Sequence, residues 1–392
     1  MPAAKSTQGP GDIPVAFRAD AGVFEDAPLP GTDSLVRVRT RTRALEGMQK
    51  EAVVEYGPTG AVWRLLCDEG PWLNGTDLAP FPLAFFTAGL AAQLMSDYLA
   101  EAADREIRID HLDMSVDNFF TMEGSALKGT MAASVDPIRL AITVAGDADV
   151  RELEDIAVIT LEDRSAGGIT LRDELISRFS IKLNGRPVRW SGEDAPTMDA
   201  LADPAAALAA VQPADDTPAV ENIIYKDEDT PPPASDGAVG LTSDQKRQVH
   251  VHTDARLRPD GLKELAVQCI QPAGSRFVFL SDDAADVGGQ ERAPSGLAYL
   301  SAGVAFCFMT QLGRYAQIKK QDLSGYRIVQ DTVFRHGNPY DPAALPVDTF
   351  VCLDSSNPVA DNLQLVHMGE QTCYLHAAFR NEVDVELQVS DF

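Results

Sequence analysis

The chain has 392 residues, 45% hydrophobic and 23% charged, with 59 acidic against 33 basic side chains and a net charge of −26. That length allows two or three domains with real cores. The charge excludes binding to a nucleic-acid backbone, which needs clustered Lys and Arg, and no apolar run reaches the roughly 18 residues of a membrane span.

Residues 1–24 lack the apolar core of a secretory signal and read as a flexible arm. Beyond them, 36–43, 51–56 and 61–66 alternate with period two and predict antiparallel strands, with Gly57-Pro-Thr-Gly60 as a turn. A helix is expected over 82–103, apolar on nearly every face and therefore buried. A strand at 138–144, a second helix at 150–160 and a last strand at 179–183 complete this half. From 189 to 246 the chain turns acidic and rich in Pro and Ala, the composition of an extended linker, with a short helix at 200–211. The same order then returns. Strands are expected at 249–252, 263–270 and 276–280, with the turn Arg258-Pro-Asp-Gly261 between the first two. A buried helix at 295–319, a strand at 348–354, a helix at 359–368 and a final strand follow. Segregated strands and helices indicate an α+β fold, with antiparallel sheets packed on long buried central helices.

The two halves are copies. Residues 83–95 return as 297–309, matching at Leu83/Leu297, Ala84/Ala298, Ala88/Ala302, Gly89/Gly303, Ala91/Ala305 and Met95/Met309. The match runs without a gap over 52–95 and 266–309, and Asp117 and Phe120 face Asp331 and Phe334 further on. Upstream, 36–40 parallels 249–253 after a one-residue slip. A period of a whole domain means fused domains rather than a solenoid. The repeats are 25–188 and 247–392.

Five cysteines in a long chain without a signal segment read as reduced thiols, and the cytoplasm is the expected compartment. Cys67, Cys269 and Cys352 sit in strand-like runs and read as small core hydrophobes. Cys307 lies in the buried helix among Ala302, Gly303 and Ala305; the first copy has Gln93 there. Cys373 follows the second helix, and its counterpart falls near Ile169. Both thiols are therefore missing from the first copy together, as a two-cysteine mechanism requires.

At these residues the second copy resembles the OsmC/Ohr family of osmotically inducible and organic hydroperoxide resistance proteins. The helix motif is similar to Ala302-Gly-Val-Ala-Phe-Cys307-Phe308, and the second-cysteine motif to Cys373-Tyr-Leu-His376-Ala-Ala-Phe-Arg380 with Val385-Glu-Leu387 after it. The resemblance implies a thiol peroxidase. Cys307 would attack the O–O bond of a small hydrophobic hydroperoxide and become a sulfenic acid, Cys373 would capture it as a disulfide, and an external dithiol, of lipoyl type for instance, would restore both. It implies no bound cofactor, metal, nucleic acid or membrane. Such proteins form interlocked homodimers, so the fused chain would be a single-chain pseudo-dimer with one live site, further self-association being open.

The family carries an arginine in a G-G-R-D-G turn, for which Arg256 and Arg258 are the nearest candidates here. Its N-P-E-Q-L glutamate is Ser295 in this chain, with Glu291 just upstream as a substitute. Tyr374 stands where the family has proline, and His376 agrees with the OsmC-type variant. Arg39, Arg41 or Arg43 of the first copy would reach across to Cys307 in a pseudo-dimer. A rival constellation is His250 and His252, whose spacing puts both rings on one strand face, a metal site if His376 or Cys373 joins them. Other thiol chemistry in the same pocket and a non-catalytic small-molecule binding module are the alternatives to peroxidase.

Overall fold

The computed structural model describes residues 14–20, 22, 24, 35–172, 174–189, 201–214, 220–229, 245–335 and 347–392. The first half holds β1 (Ala16–Arg18), β2 (Leu35–Ala44), β3 (Lys50–Tyr56), β4 (Ala61–Cys67), α1 (Pro82–Asp104), β5 (Ile109–Gly124), β6 (Ala132–Gly146), α2 (Val150–Ile159), α3 (Ala166–Arg172), β7 (Ser177–Leu183) and β8 (Arg186–Val188). Then come α4 (Ala205–Ala210) and β9 (Ile224–Glu228). The second half holds β10 (Gln245–Leu257), β11 (Lys263–Gln271), β12 (Arg276–Ser281), α5 (Gly296–Lys319), β13 (Gly325–Arg335), β14 (Val347–Asp354), α6 (Val359–Gln371), α7 (Tyr374–Arg380) and β15 (Val385–Asp391). The chain is α+β.

The hairpin turns follow their sequence. Gly60 and Gly261 take φ of +70° and +83°, backbone that L side chains adopt only under strain. Each closes a tight turn, Gly60 N–H to the Tyr56 carbonyl and Gly261 N–H to that of Arg258.

One sheet runs β1-β4-β3-β2-β13-β14-β7-β8 and the other β9-β12-β11-β10-β5-β6-β15. The two orders correspond strand for strand, apart from β8. Each sheet takes its β2–β4 or β10–β12 block from one half and a hairpin, β13–β14 or β5–β6, from the other. The expectation of purely antiparallel sheets is corrected: β7 runs parallel to β14, and β15 parallel to β6. The final strand of each half follows two helices that carry it to the neighbouring half's hairpin, and such a crossover admits a parallel partner.

Two segments expected to be unstructured supply edge strands. Ala16–Arg18, in the arm, pairs with β4, and Ile224–Glu228, in the linker, pairs with β12. Buried Val15, Ile223 and Ile224 anchor them, and each covers what would otherwise be an open edge. The short helix expected in the linker is α4. The remaining arm and linker residues, 1–13, 21, 23, 190–200, 215–219 and 230–244, lie outside the described residues.

Between the sheets lie α1 and α5, so the layers are sheet, α5, α1, sheet. Helix α5 packs on β2, β3 and β13, and α1 on β10, β11 and β5, so each central helix sits on two strands of the other half and one of its own. Apolar side chains all round both helices are the consequence of having protein on every side. Among the described residues α5 alone has the length and hydropathy of a membrane span, and it is wholly buried.

The repeated glycines set the spacing of this pair. A Cβ on Gly89 would stand 2.4 Å from the Leu300 nitrogen, and one on Gly303 would stand 2.6 Å from that of Phe86. Beside this crossing Phe85 packs against Phe279 and Phe306 with ring centroids 5.2 and 5.1 Å apart. Such pairs add about 0.5–1.5 kcal/mol beyond their area burial.

Candidate functional site

Cys307 sits mid-helix on α5 and Cys373 caps the N-terminus of α7, its sulfur accepting from the His376 backbone N–H at 3.5 Å. Both are buried, 2% and 0% exposed, and the two thiols lie close enough to act on one another electrostatically. Burial first, then the neighbouring Cys307 thiol, holds the Cys373 thiol well above the ordinary range. The His376 Nδ1 lies 3.2 Å from the Cys373 sulfur, and its ring packs against Phe308 and Phe179. Burial, with Arg380 adding repulsion, pulls His376 down to about 3, so the ring is neutral. Its Nε2 has no hydrogen-bond partner among the described residues.

The charges around the thiols come from both halves. One turn beyond Cys307, Thr310 Oγ1 donates to Glu69 Oε1 at 2.6 Å. Glu69 follows β4, in the first half, and its carboxylate faces Lys50 Nζ at 3.9 Å. Lys50, 1% exposed, also donates to the Met48 carbonyl at 2.6 Å. Burial alone would lower the Lys50 ammonium, but Cys67, Glu69, Tyr326 and Asp68 together raise it, so it is a buried cation. Burial pushes the Glu69 carboxyl up, opposed by Lys50, Thr310 and Arg314.

Arg314 is the second cation. It lies two turns beyond Cys307 on α5, close enough for Cys307, Glu69 and Tyr374 to act on its charge. Burial lowers it and Arg247 repels it, yet a guanidinium keeps its proton in proteins. Among the described residues Arg314 makes no hydrogen bond and no ion pair.

The other half carries the matching arrangement without thiols. Ser96 Oγ donates to Asp283 Oδ1 at 2.6 Å and Lys263 Nζ donates to the same oxygen at 2.7 Å, as Thr310 and Lys50 face Glu69. At the position of Cys307, Gln93 Nε2 instead donates to both oxygens of Asp97, at 3.0 Å each. Burial raises the Asp97 carboxyl to about 6, against hydrogen bonds from Ser165 and Gln93. Helix α3 packs here as α7 packs against α5, with Gly167 against Gln93. The side chain of Ile169 lies outside the described residues.

Of the residues singled out from sequence, Cys307, Cys373, Tyr374 and His376 come together, and the candidate arginines, Glu291, Ser295, His250 and His252 do not join them. Arg256 is 65% exposed on β10 and pairs with Glu264. Arg258 pairs with Asp260. Glu291 binds Arg18 and Thr59 across the first half. Ser295 caps α5, accepting from the Ala298 N–H. Arg39 pairs with Asp331, Arg41 with Glu55 and Arg43 with Glu51, because these strand side chains have carboxylates on adjacent strands. His250 Nε2 and His252 Nδ1 both bond Asp117 Oδ1, at 2.6 and 2.8 Å. Among the described residues no cluster of His, Cys, Asp and Glu is built to hold a metal.

Lys50, Glu69, Thr310 and Arg314 were missed. A signal existed: the acid Glu69/Asp283 and the hydroxyl Ser96/Thr310 are kept in both copies at the repeat offset, and Lys50/Lys263 after one slip.

A small, partly open cleft lies near the site, lined by Met122, Met131, Ile318, Arg247, Arg314 and Thr372 among others. Gln311 on its wall is one turn beyond Cys307 and Thr372 precedes Cys373 in the chain, but neither thiol lines the cleft.

No family model matches the chain, and no curated protein matches it. Among solved structures it is similar to an OsmC-like hydroperoxide resistance protein from Jannaschia sp. CCS1, at 23% identity over 29% of this chain and 75% of that one, with a TM-score of 0.19. A likeness at that level carries no argument about chemistry. The site stands on its own geometry.

Proposed function

We propose that the chain is a two-cysteine thiol peroxidase of the OsmC/Ohr type, acting on organic hydroperoxides. The observation that supports it is a pair of buried thiols close enough to act on one another, with an arginine further along the same helix that makes no hydrogen bond or ion pair among the described residues. Only a thiolate is a good nucleophile, and Arg314 offers it a counter-charge. The Cys307 sulfur attacks one peroxide oxygen and the O–O bond breaks. The other oxygen leaves with a proton as the alcohol, and Cys307 becomes a sulfenic acid. The Cys373 sulfur then attacks it, a disulfide forms and water leaves. An external dithiol returns both thiols and departs as its own disulfide.

On this reading residues 25–188 and 247–392 are two copies arranged as an intramolecular pseudo-dimer. Correspondence of the two strand orders supports it, as does the acid that each half lends to the other's central helix. The first copy supplies Lys50 and Glu69 to the live site and keeps Gln93 and Asp97 in its own.

Dithiol-coupled consumption of tert-butyl and fatty-acid hydroperoxides tests the proposal. Cys307→Ser abolishes turnover with the fold intact, and Cys373→Ser leaves one turnover ending in a trappable sulfenic acid. A reactive Cys307 without hydroperoxide turnover points to other thiol chemistry. Resistance of native Cys307 to alkylation refutes any redox role.

A further inference from the structure

Tyr374 stands directly after Cys373, where the family has proline, and the thiol chemistry alone leaves it without a role. It opens α7 and is 8% exposed. Its ring packs on Phe120 of β5, with centroids 5.5 Å apart. Burial raises its hydroxyl to about 12, Arg314 opposing and Cys307 adding to the rise, so it carries its proton at neutral pH. Other buried tyrosines give their O–H to backbone carbonyls, Tyr98 to Leu153 at 3.1 Å and Tyr299 to Leu280 at 2.8 Å. The Tyr374 hydroxyl makes no hydrogen bond among the described residues. That of Tyr315, on α5, is unpartnered too, but burial alone acts on it. Tyr374 differs in lying close enough to feel both Arg314 and Cys307. A largely buried polar group without a partner calls for a reason.

We propose that Tyr374 is a general acid for the peroxidase, giving its phenol proton to the oxygen that departs when Cys307 attacks the hydroperoxide. The inference rests on the peroxidase reading and deepens it. The Cys307 thiolate bonds to the terminal peroxide oxygen as the O–O bond breaks, so the sulfur is oxidised by two electrons and the peroxide is reduced. The inner oxygen leaves with the electron pair of that bond, takes the Tyr374 proton and departs as the alcohol. The phenolate, beside Arg314, recovers from water the proton that the Cys307 thiol released in forming its thiolate. A phenol suits this step because it is more acidic than the alcohol it makes, while burial keeps it protonated until the oxygen leaves.

The test compares two oxidants whose leaving groups differ. Attack on tert-butyl hydroperoxide releases an alkoxide, which needs a proton as it departs; attack on peracetic acid releases acetate, which does not. The reduced full chain and its Tyr374→Phe variant are mixed with each oxidant, quenched at intervals, and the remaining thiols counted. Tyr374→Phe keeps the ring on Phe120 and removes a hydroxyl that has no partner, so urea unfolding is expected to show no loss of stability. Oxidation by tert-butyl hydroperoxide is expected to slow by about a hundredfold, the lower end of what general acids contribute, with oxidation by peracetic acid little changed. Equal slowing with both oxidants, slowing with neither, or a variant destabilised by loss of the hydroxyl overturns the role of Tyr374. Each of these leaves the peroxidase reading standing, because the unaltered chain is still oxidised. An unaltered chain whose thiols survive tert-butyl hydroperoxide overturns both.

Discussion

Glu69→Leu is the substitution that most directly tests how the first half supports the thiol helix. It removes a carboxylate that accepts from Thr310 at 2.6 Å and faces Lys50 at 3.9 Å, both partners being buried. Loss of a charge-assisted hydrogen bond costs about 1.5–3 kcal/mol. Leaving Lys50 buried without its counter-ion costs about 3–5 kcal/mol. The two overlap, so the single variant is expected to lose about 3–5 kcal/mol, and Lys50→Met a comparable amount. The double variant leaves neither charge, so its loss falls short of the sum by at least about 2 kcal/mol. Urea unfolding of all four proteins reads the cycle. The matching pair Lys263–Asp283 is an internal control: it is shorter, at 2.7 Å, but the Asp283 side chain is 35% exposed against 7% for Glu69. Solvent screening should hold its coupling to about 1 kcal/mol or less. Additivity at Lys50/Glu69 within about 0.5 kcal/mol, or equal coupling in the two halves, refutes the reasoning.

Two further predictions concern the buried titrating groups and the helix crossing. His376 is held neutral, with its folded value near 3, so its contribution is present above about 6.5 and is lost as pH falls, at up to about 1.4 kcal/mol per unit. Asp97, raised to about 6, acts oppositely: its contribution is present below about 3.9 and is lost as pH rises through 6. The two cancel between roughly pH 4 and 6. Asp97→Asn should therefore expose a falling stability on acidification in urea titrations at pH 4.5 and 5.5 (roughly the middle of that window), and an unchanged slope counts against the assignment. Gly303→Ala gains about 1 kcal/mol of helix propensity, but its Cβ would meet backbone at 2.6 Å. Overpacking of about 1–3 kcal/mol is expected to prevail, lowering the melting temperature and slowing Cys307–Cys373 disulfide formation; a stabilised variant contradicts the tight crossing.

What the sequence determined by itself was local or repeated. Period-two alternation marked the main strands, and all-round apolarity marked 82–103 and 295–319 as buried helices. The matched segments 83–95 and 297–309 marked the halves as copies, and the absence of both thiols from the first copy singled out Cys307 and Cys373. These are legible because each depends on neighbours in the chain or on comparison of the halves at one offset. Only the tertiary structure decided which charges face the thiols. Lys50 and Glu69 belong to the first half, and Glu69 reaches Thr310, one turn from Cys307, because α5 packs on β2 and β3 as well as on its own β13. Arg256 and Glu291 were nearer in sequence, yet salt bridges on the sheet surface and at the β3–β4 turn hold them elsewhere. A charge acts through space, and exchange of hairpins between the halves sets these distances while leaving no local trace in residue order.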